Sequence, residues 1–188
     1  MKILGYLALT LAMSAPLATA AADNTADLEA QAKSLVQSFA GRLKPQLQQA
    51  MQAGGPVNAI GVCAEQAPAI AAQLSKESGW MIKRVSLKPR NATSAVPDAW
   101  ETQVLESFAK RLAAGEAQAQ LVYFSKENGE FRYMQAQIVE PLCLNCHAKK
   151  EQLAPAVREA LQKHYPEDKA TGYSAGDIRG AFSLRYQL

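Results

Sequence analysis

The chain is sparing with the residues that most often carry chemistry: three cysteines and two histidines among 188 residues, and only 7% aromatics. It has no run of Lys or Arg, and its 20 basic residues are nearly balanced by 17 acidic ones. That balance gives no electrostatic footprint for nucleic acid or for an acidic membrane surface. There is no internal repeat and no low-complexity linker. With 48% apolar residues, disordered, collagenous and coiled-coil classes are excluded, and the length suits one domain.

Long hydrophobic runs are also missing. The one apolar stretch of note covers residues 3–13, follows Lys2, and precedes Pro16 and a small-residue run ending Ala18-Thr19-Ala20-Ala21-Ala22. This pattern predicts a secretory signal peptide over residues 1–22, cut after Ala20 or Ala22, and too short for the roughly 20 residues of a membrane span. The expected product is an exported, periplasmic domain over residues 23–188, in a compartment where paired thiols tend to oxidise.

Apolar steps at Leu28, Ala32, Leu35, Phe39, Leu43 and Leu47 predict a helix over residues 23–53, read as an N-terminal extension of the domain (about 23–54) and stopped by Gly54-Gly55. Pro56 suits the start of a second helix to about Lys76, which Pro68 should bend or restart. Residues 80–87 read as a strand, and Pro97-Asp98 opens a third helix that Gly115 ends. Residues 121–125 and 131–139, joined through Asn128-Gly129, are a hairpin. A helix over residues 155–164 and a closing strand over 181–187 complete the chain. Helices first, then antiparallel strands with interleaved helices, is an α+β pattern.

Cys143-Leu144-Asn145-Cys146-His147 is the c-type haem attachment pattern. Two thiols two residues apart can form thioethers with the two vinyl groups on one edge of the macrocycle, and the adjacent His then serves as proximal iron ligand. A Cys143–Cys146 disulfide would leave His147 without a role. A thioredoxin-like pair calls for a βαβ context, and zinc bound by Cys63, Cys143, Cys146 and a His would be better signalled by a second CxxC. Export favours haem, because covalent attachment occurs outside the cytoplasm. For the sixth ligand the residues leave open Cys63, His164, Met51, Met81, Met134 or a vacant position. Arg84, Lys88 and Arg90 are candidates for pairing with the propionates, since the guanidinium fork matches a carboxylate.

Four segments together carry a more specific resemblance: GGPVNAIGVCAEQAPAIA around Cys63, WMIKRVSLKPRNATSAVPDAWE, CLNCH, and YPEDKATGYSAGDIRGAFSL. Across almost the whole predicted mature chain the sequence resembles a family of exported c-type haem proteins with a PAS-like fold, formerly classed as a domain of unknown function. It departs from the family pattern at Ala92 and Val96, both in the loop before Pro97. The resemblance implies a central antiparallel sheet and one covalent haem c, held by His147 and by Cys63 of the early helix.

Such a ligand set is expected to favour ferric iron. The expected roles are electron transfer with a redox partner, or redox or diatomic-gas sensing passed to a separate signalling protein, rather than enzymatic turnover. Peroxidase activity would need an open iron site and distal acid–base groups. The alternative fold is a four-helix cytochrome of the c-prime type, which carries its CxxCH on the last helix.

Overall fold

The structure, a computed structural model, describes residues 24–188; the predicted signal peptide lies outside the described residues. The elements run α1 (Thr25–Gly61), a π-helical turn (Val62–Gln66), α2 (Ala67–Ser78), β1 (Met81–Val85), α3 (Ala99–Ala113), β2 (Val122–Glu127), β3 (Glu130–Ile138), α4 (Leu144–His147), α5 (Pro155–His164) and β4 (Ile178–Gln187). The four strands form one antiparallel sheet in the order β1-β4-β3-β2. That sheet establishes the α+β class and excludes the four-helix alternative.

Local chemistry accounts for most of the boundaries. Asn128 and Gly129 both take positive φ, 53° and 77°, giving the two-residue turn that matches the twist of the hairpin strands. Pro155 opens α5 where no backbone donor is needed, and the helix stops short of Pro166. Asp98 caps α3, accepting the Glu101 N–H at 2.8 Å while the Glu101 carboxylate accepts the Asp98 N–H at 2.8 Å. At Gly54-Gly55 the predicted stop is a kink: both residues leave helical geometry, Gly55 at φ 68°, and the helix resumes at Pro56.

The apolar stripe of α1 (Leu28, Ala32, Val36, Phe39, Leu43) and that of α2 (Ala67, Ile70, Leu74) are buried against one sheet face, with Ile82, Phe131, Tyr133, Phe182 and Leu184. On the other face Val104, Leu105 and Phe108 of α3 meet Val85, Met134 and Ala181. Among the described residues no helix is long and apolar enough to cross a membrane.

The α3 face also holds a largely buried polar network. Glu101 is fully buried and accepts the Lys83 Nζ at 2.9 Å and the Ser183 hydroxyl at 2.6 Å, besides the Asp98 N–H. Asp98 in turn pairs with Arg132, at 2.7 Å, and with Arg185. The Glu101 carboxylate is therefore matched by donors on β1, on β4 and at its own helix cap. Glu101→Ala is expected to cost about 3 kcal/mol by leaving those donors without their acceptor, read as a lower urea midpoint.

Candidate cofactor site

Between the α1–α2 wall and the β1–β4 end of the sheet lies a cavity of about 420 Å³, within the range of cofactor pockets. Irregular pieces of backbone deliver several of its polar side chains. Cys63 sits on the π-helical turn, where the Ala67 N–H reaches back five residues to the Val62 carbonyl. Pro68 comes next and has no N–H to continue an ordinary α-helical ladder through this stretch. Cys143 ends a short 3-10 turn after Pro141, and Cys146 and His147 occupy α4. Small residues (Ala64, Ala67, Ala71) leave the helical wall flat.

His147 is held in one tautomer. Its Nδ1 lies 2.7 Å from the Ala170 carbonyl, which can only accept, so the proton is on Nδ1 and Nε2 keeps its lone pair, facing the Arg179 Nε–H at a long 3.5 Å. Burial, reinforced by the Arg179 and Arg90 guanidiniums and opposed by the Ala170 carbonyl, holds the imidazole pKa down to about 2. The ring is thus neutral at any working pH, as a metal ligand must be.

Burial pushes the Cys63 thiol up, while the fields of Arg84, Arg90 and Arg179 oppose that rise. Burial likewise pushes Cys146 up to about 11, the reverse of the depressed thiol that a thioredoxin-like pair needs. All three thiols are free. They line the same cavity as His147, yet among the described residues no three His, Cys, Asp or Glu side chains converge closely enough to hold a bare metal ion.

The remaining sequence candidates separate cleanly. Met51 lines the cavity; Met81 is exposed, Met134 is buried on the α3 side, and His164 is exposed at the end of α5. Arg84 lines the cavity with its guanidinium 5.1 Å over the Phe39 ring. Lys88 turns away, donating to the Thr171 carbonyl at 2.6 Å and covering the Tyr173 ring at 4.4 Å. Arg90 also lines the cavity, but its guanidinium is engaged by Asp168 at 3.0 Å and by the carbonyls of Cys146 at 2.6 Å and Ala170 at 3.0 Å.

Among the cavity residues that the sequence does not single out are Tyr165 and Arg179. Arg179 carries one local signal, the glycine next to it inside a strand, which often marks a bulge. Tyr165 carries none beyond being an aromatic before Pro166.

The model of the Tll0287-like family, described as Tll0287, matches residues 15–186. The chain belongs to the Tll0287-like family. Its fold is similar to that in the crystal structure of the cyanobacterial haem protein Tll0287, with a TM-score of 0.63, 22% identity, and coverage of 90% of this chain and 98% of that one. At this identity the likeness speaks for the fold alone. A comparison with curated proteins finds no match.

In this member of the Tll0287-like family the segment from Asp168 to Tyr173 locks the CLNCH turn in place. The Tyr173 N–H donates to the His147 carbonyl at 3.0 Å and the Gly172 N–H to the Ala148 carbonyl at 2.9 Å, while Asp168 accepts the Ala170 N–H at 2.7 Å and pairs with Arg90. Arg90 and Asp168 are about nine-tenths buried. Removing one partner strands the other charge, so Asp168→Ala is expected to lower stability by about 3–5 kcal/mol, measured by urea denaturation.

Proposed function

We propose that this protein is an exported monohaem c-type protein that carries single electrons between redox partners, with Cys143 and Cys146 joined to the haem, His147 as proximal ligand and Cys63 as sixth ligand. One observation carries the reading: two thiols at attachment spacing, a neutral imidazole whose Nε2 keeps its lone pair, and a third thiol from the helical wall all line one cavity. The haem protein Tll0287, which shares the fold, is described as cyanobacterial, and the CLNCH motif brings haem to this chain on its own residues.

Haem, when bound, supplies a one-electron Fe(III)/Fe(II) couple. Everything else falls to the chain. The thiols of Cys143 and Cys146 would hold the haem by adding S–H across its two vinyl groups, sulfur to one carbon and hydrogen to the other, which needs no oxidant. The Ala170 carbonyl holds the Nδ1 proton of His147 and so keeps Nε2 directed to the ligand. Cys63 must lose its proton to ligate, and the three guanidiniums around it favour the thiolate that burial disfavours. A Cys63 thiolate and the His147 imidazole, if both held the iron, would push electron density onto it and lower its potential relative to a His/Met pair. Two such ligands from the chain would favour electron transfer over peroxidase chemistry, and the signal-peptide pattern over residues 1–22 supports a periplasmic location.

The pyridine haemochrome spectrum of protein matured in a c-type haem host is expected to show one covalent haem per chain, lost in the Cys143→Ala, Cys146→Ala double variant. A parent spectrum without covalent haem overturns the proposal. Cys63→Ala is expected to lose the thiolate-ligated low-spin ferric spectrum and to raise the reduction potential; a spectrum and potential equal to the parent would remove Cys63 from the ligand set. Tight carbon monoxide binding by the ferrous parent, without slow displacement of an internal ligand, would instead favour gas sensing.

A further inference from the structure

Three guanidiniums reach the cavity, and their circumstances differ. Arg90 is paired with Asp168 and bonded to two carbonyls. Arg84 has no ion pair or hydrogen bond from its side chain among the described residues; the face of Phe39 is its companion. The side chain of Arg179 has a single acceptor, His147 Nε2, at a long 3.5 Å, and that is the nitrogen a metal would take. Asp168, whose field reaches Arg179, is already paired with Arg90. Burial lowers the pKa of both: Arg84 falls below the usual arginine range, and Arg179 falls to about 10. Two half-buried cations that face one cavity without a carboxylate partner among the described residues are positioned to meet two negative charges from a ligand.

The backbone goes out of its way to place one of them. In β4, Gly180 pairs with Gln137 and Ile178 with Ile138, which leaves Arg179 as an inserted residue without a cross-strand partner. Regular alternation would send Arg179 to the α3 side with Ala181 and Ser183, both of which pack there. The bulge re-aims it into the cavity. Only glycine fits the next position, because a Cβ on Gly180 would lie 2.3 Å from the Val85 carbonyl oxygen. Arg84 needs no such device: on β1 it stands opposite Phe182, on the face that carries the cavity.

We infer that Arg84 and Arg179 are a two-point anchor for the two carboxylates of the bound macrocycle, with Arg90 serving the scaffold, and that Arg179 leaves His147 Nε2 for a carboxylate when the metal takes that nitrogen. This rests on the haem reading, but it concerns residues whose behaviour can be followed separately from attachment.

The test has two arms. In the covalently loaded protein, Arg84→Gln and Arg179→Gln are each expected to shift the propionate-bending band in resonance Raman spectra. Each should also make the reduction potential pH-dependent near neutrality and move the ferric-to-ferrous ratio at fixed ambient potential toward ferric by roughly tenfold. Arg84→Lys and Arg179→Lys should restore most of each change, and Lys163→Gln, an exposed cation on α5, should change nothing. In the haem-free chain of residues 23–188 made in the cytoplasm, haemin is expected to bind roughly 100-fold more tightly than its dimethyl ester, about tenfold for each carboxylate. That ratio should collapse in the Arg84→Gln, Arg179→Gln double variant. Equal affinity for haemin and the ester overturns the inference even if the glutamine variants do not fold. Unmoved propionate bands in folded, haem-loaded variants overturn it while leaving the haem reading intact, whereas absence of covalent haem from the parent defeats the haem reading itself.

Discussion

His147 presents Nε2 to the cavity as an acceptor while its Nδ1 proton rests on the Ala170 carbonyl, so a residue 23 positions along the chain governs which ring nitrogen the CLNCH turn offers. That carbonyl is fixed in turn by the Arg90 guanidinium, which also grips the Cys146 carbonyl and pairs with Asp168. A single buried cation thereby ties the loop after β1, the CLNCH turn and the segment before β4 into one rigid unit. Rings that ligate metals are oriented by such outer partners as much as by the motif that carries them.

The sheet separates two kinds of polar chemistry. On the α3 side, Glu101 and Asp98 are matched by Lys83, Ser183, Arg132 and Arg185, and only the Nε atoms of the two arginines go without an acceptor. On the cavity side, Arg84 has no carboxylate partner among the described residues and the Arg179 guanidinium rests on His147 Nε2. Adjacent residues of β1 serve the two sides: Lys83 closes the α3 network while Arg84 faces the cavity. Strand alternation alone accomplishes this division.

How much of the molecule is legible in its residues depends on how local each cause is. The hairpin turn at Asn128-Gly129, the span of α5 between Pro155 and Pro166, and the α+β class rest on short-range chemistry, and the structure agrees with each. The CLNCH motif is legible for the same reason, since its geometry is contained in five residues. Gly54-Gly55 is readable as a break but not as a kink, because the direction the chain takes beyond it depends on packing against the rest of the fold. Arg90 and Arg179 show the limit most clearly. Both are arginines near motif segments, and they are distinguished by a buried aspartate 78 residues away from one and a bulge in the strand pairing of the other. The aspartate is not visible in the local sequence, and Gly180 beside Arg179 hints at the bulge without saying where the side chain is sent.

The two departures from regular secondary structure nearest the cavity point into it. A π-helical turn is less favourable than α-helix and recurs mainly at functional sites; here it carries Cys63. A β-bulge interrupts a ladder of hydrogen bonds; here it carries Arg179. Were the cavity merely a packing defect, the simplest repair would be a regular helix and a regular strand, which would withdraw a thiol and a cation from apolar surroundings. Instead the fold keeps both irregularities, secures one with Gly180 and places Pro68 just after the other. Irregularity held at two independent elements and directed at one space is best understood as preparation for a ligand whose own groups complete the bonding.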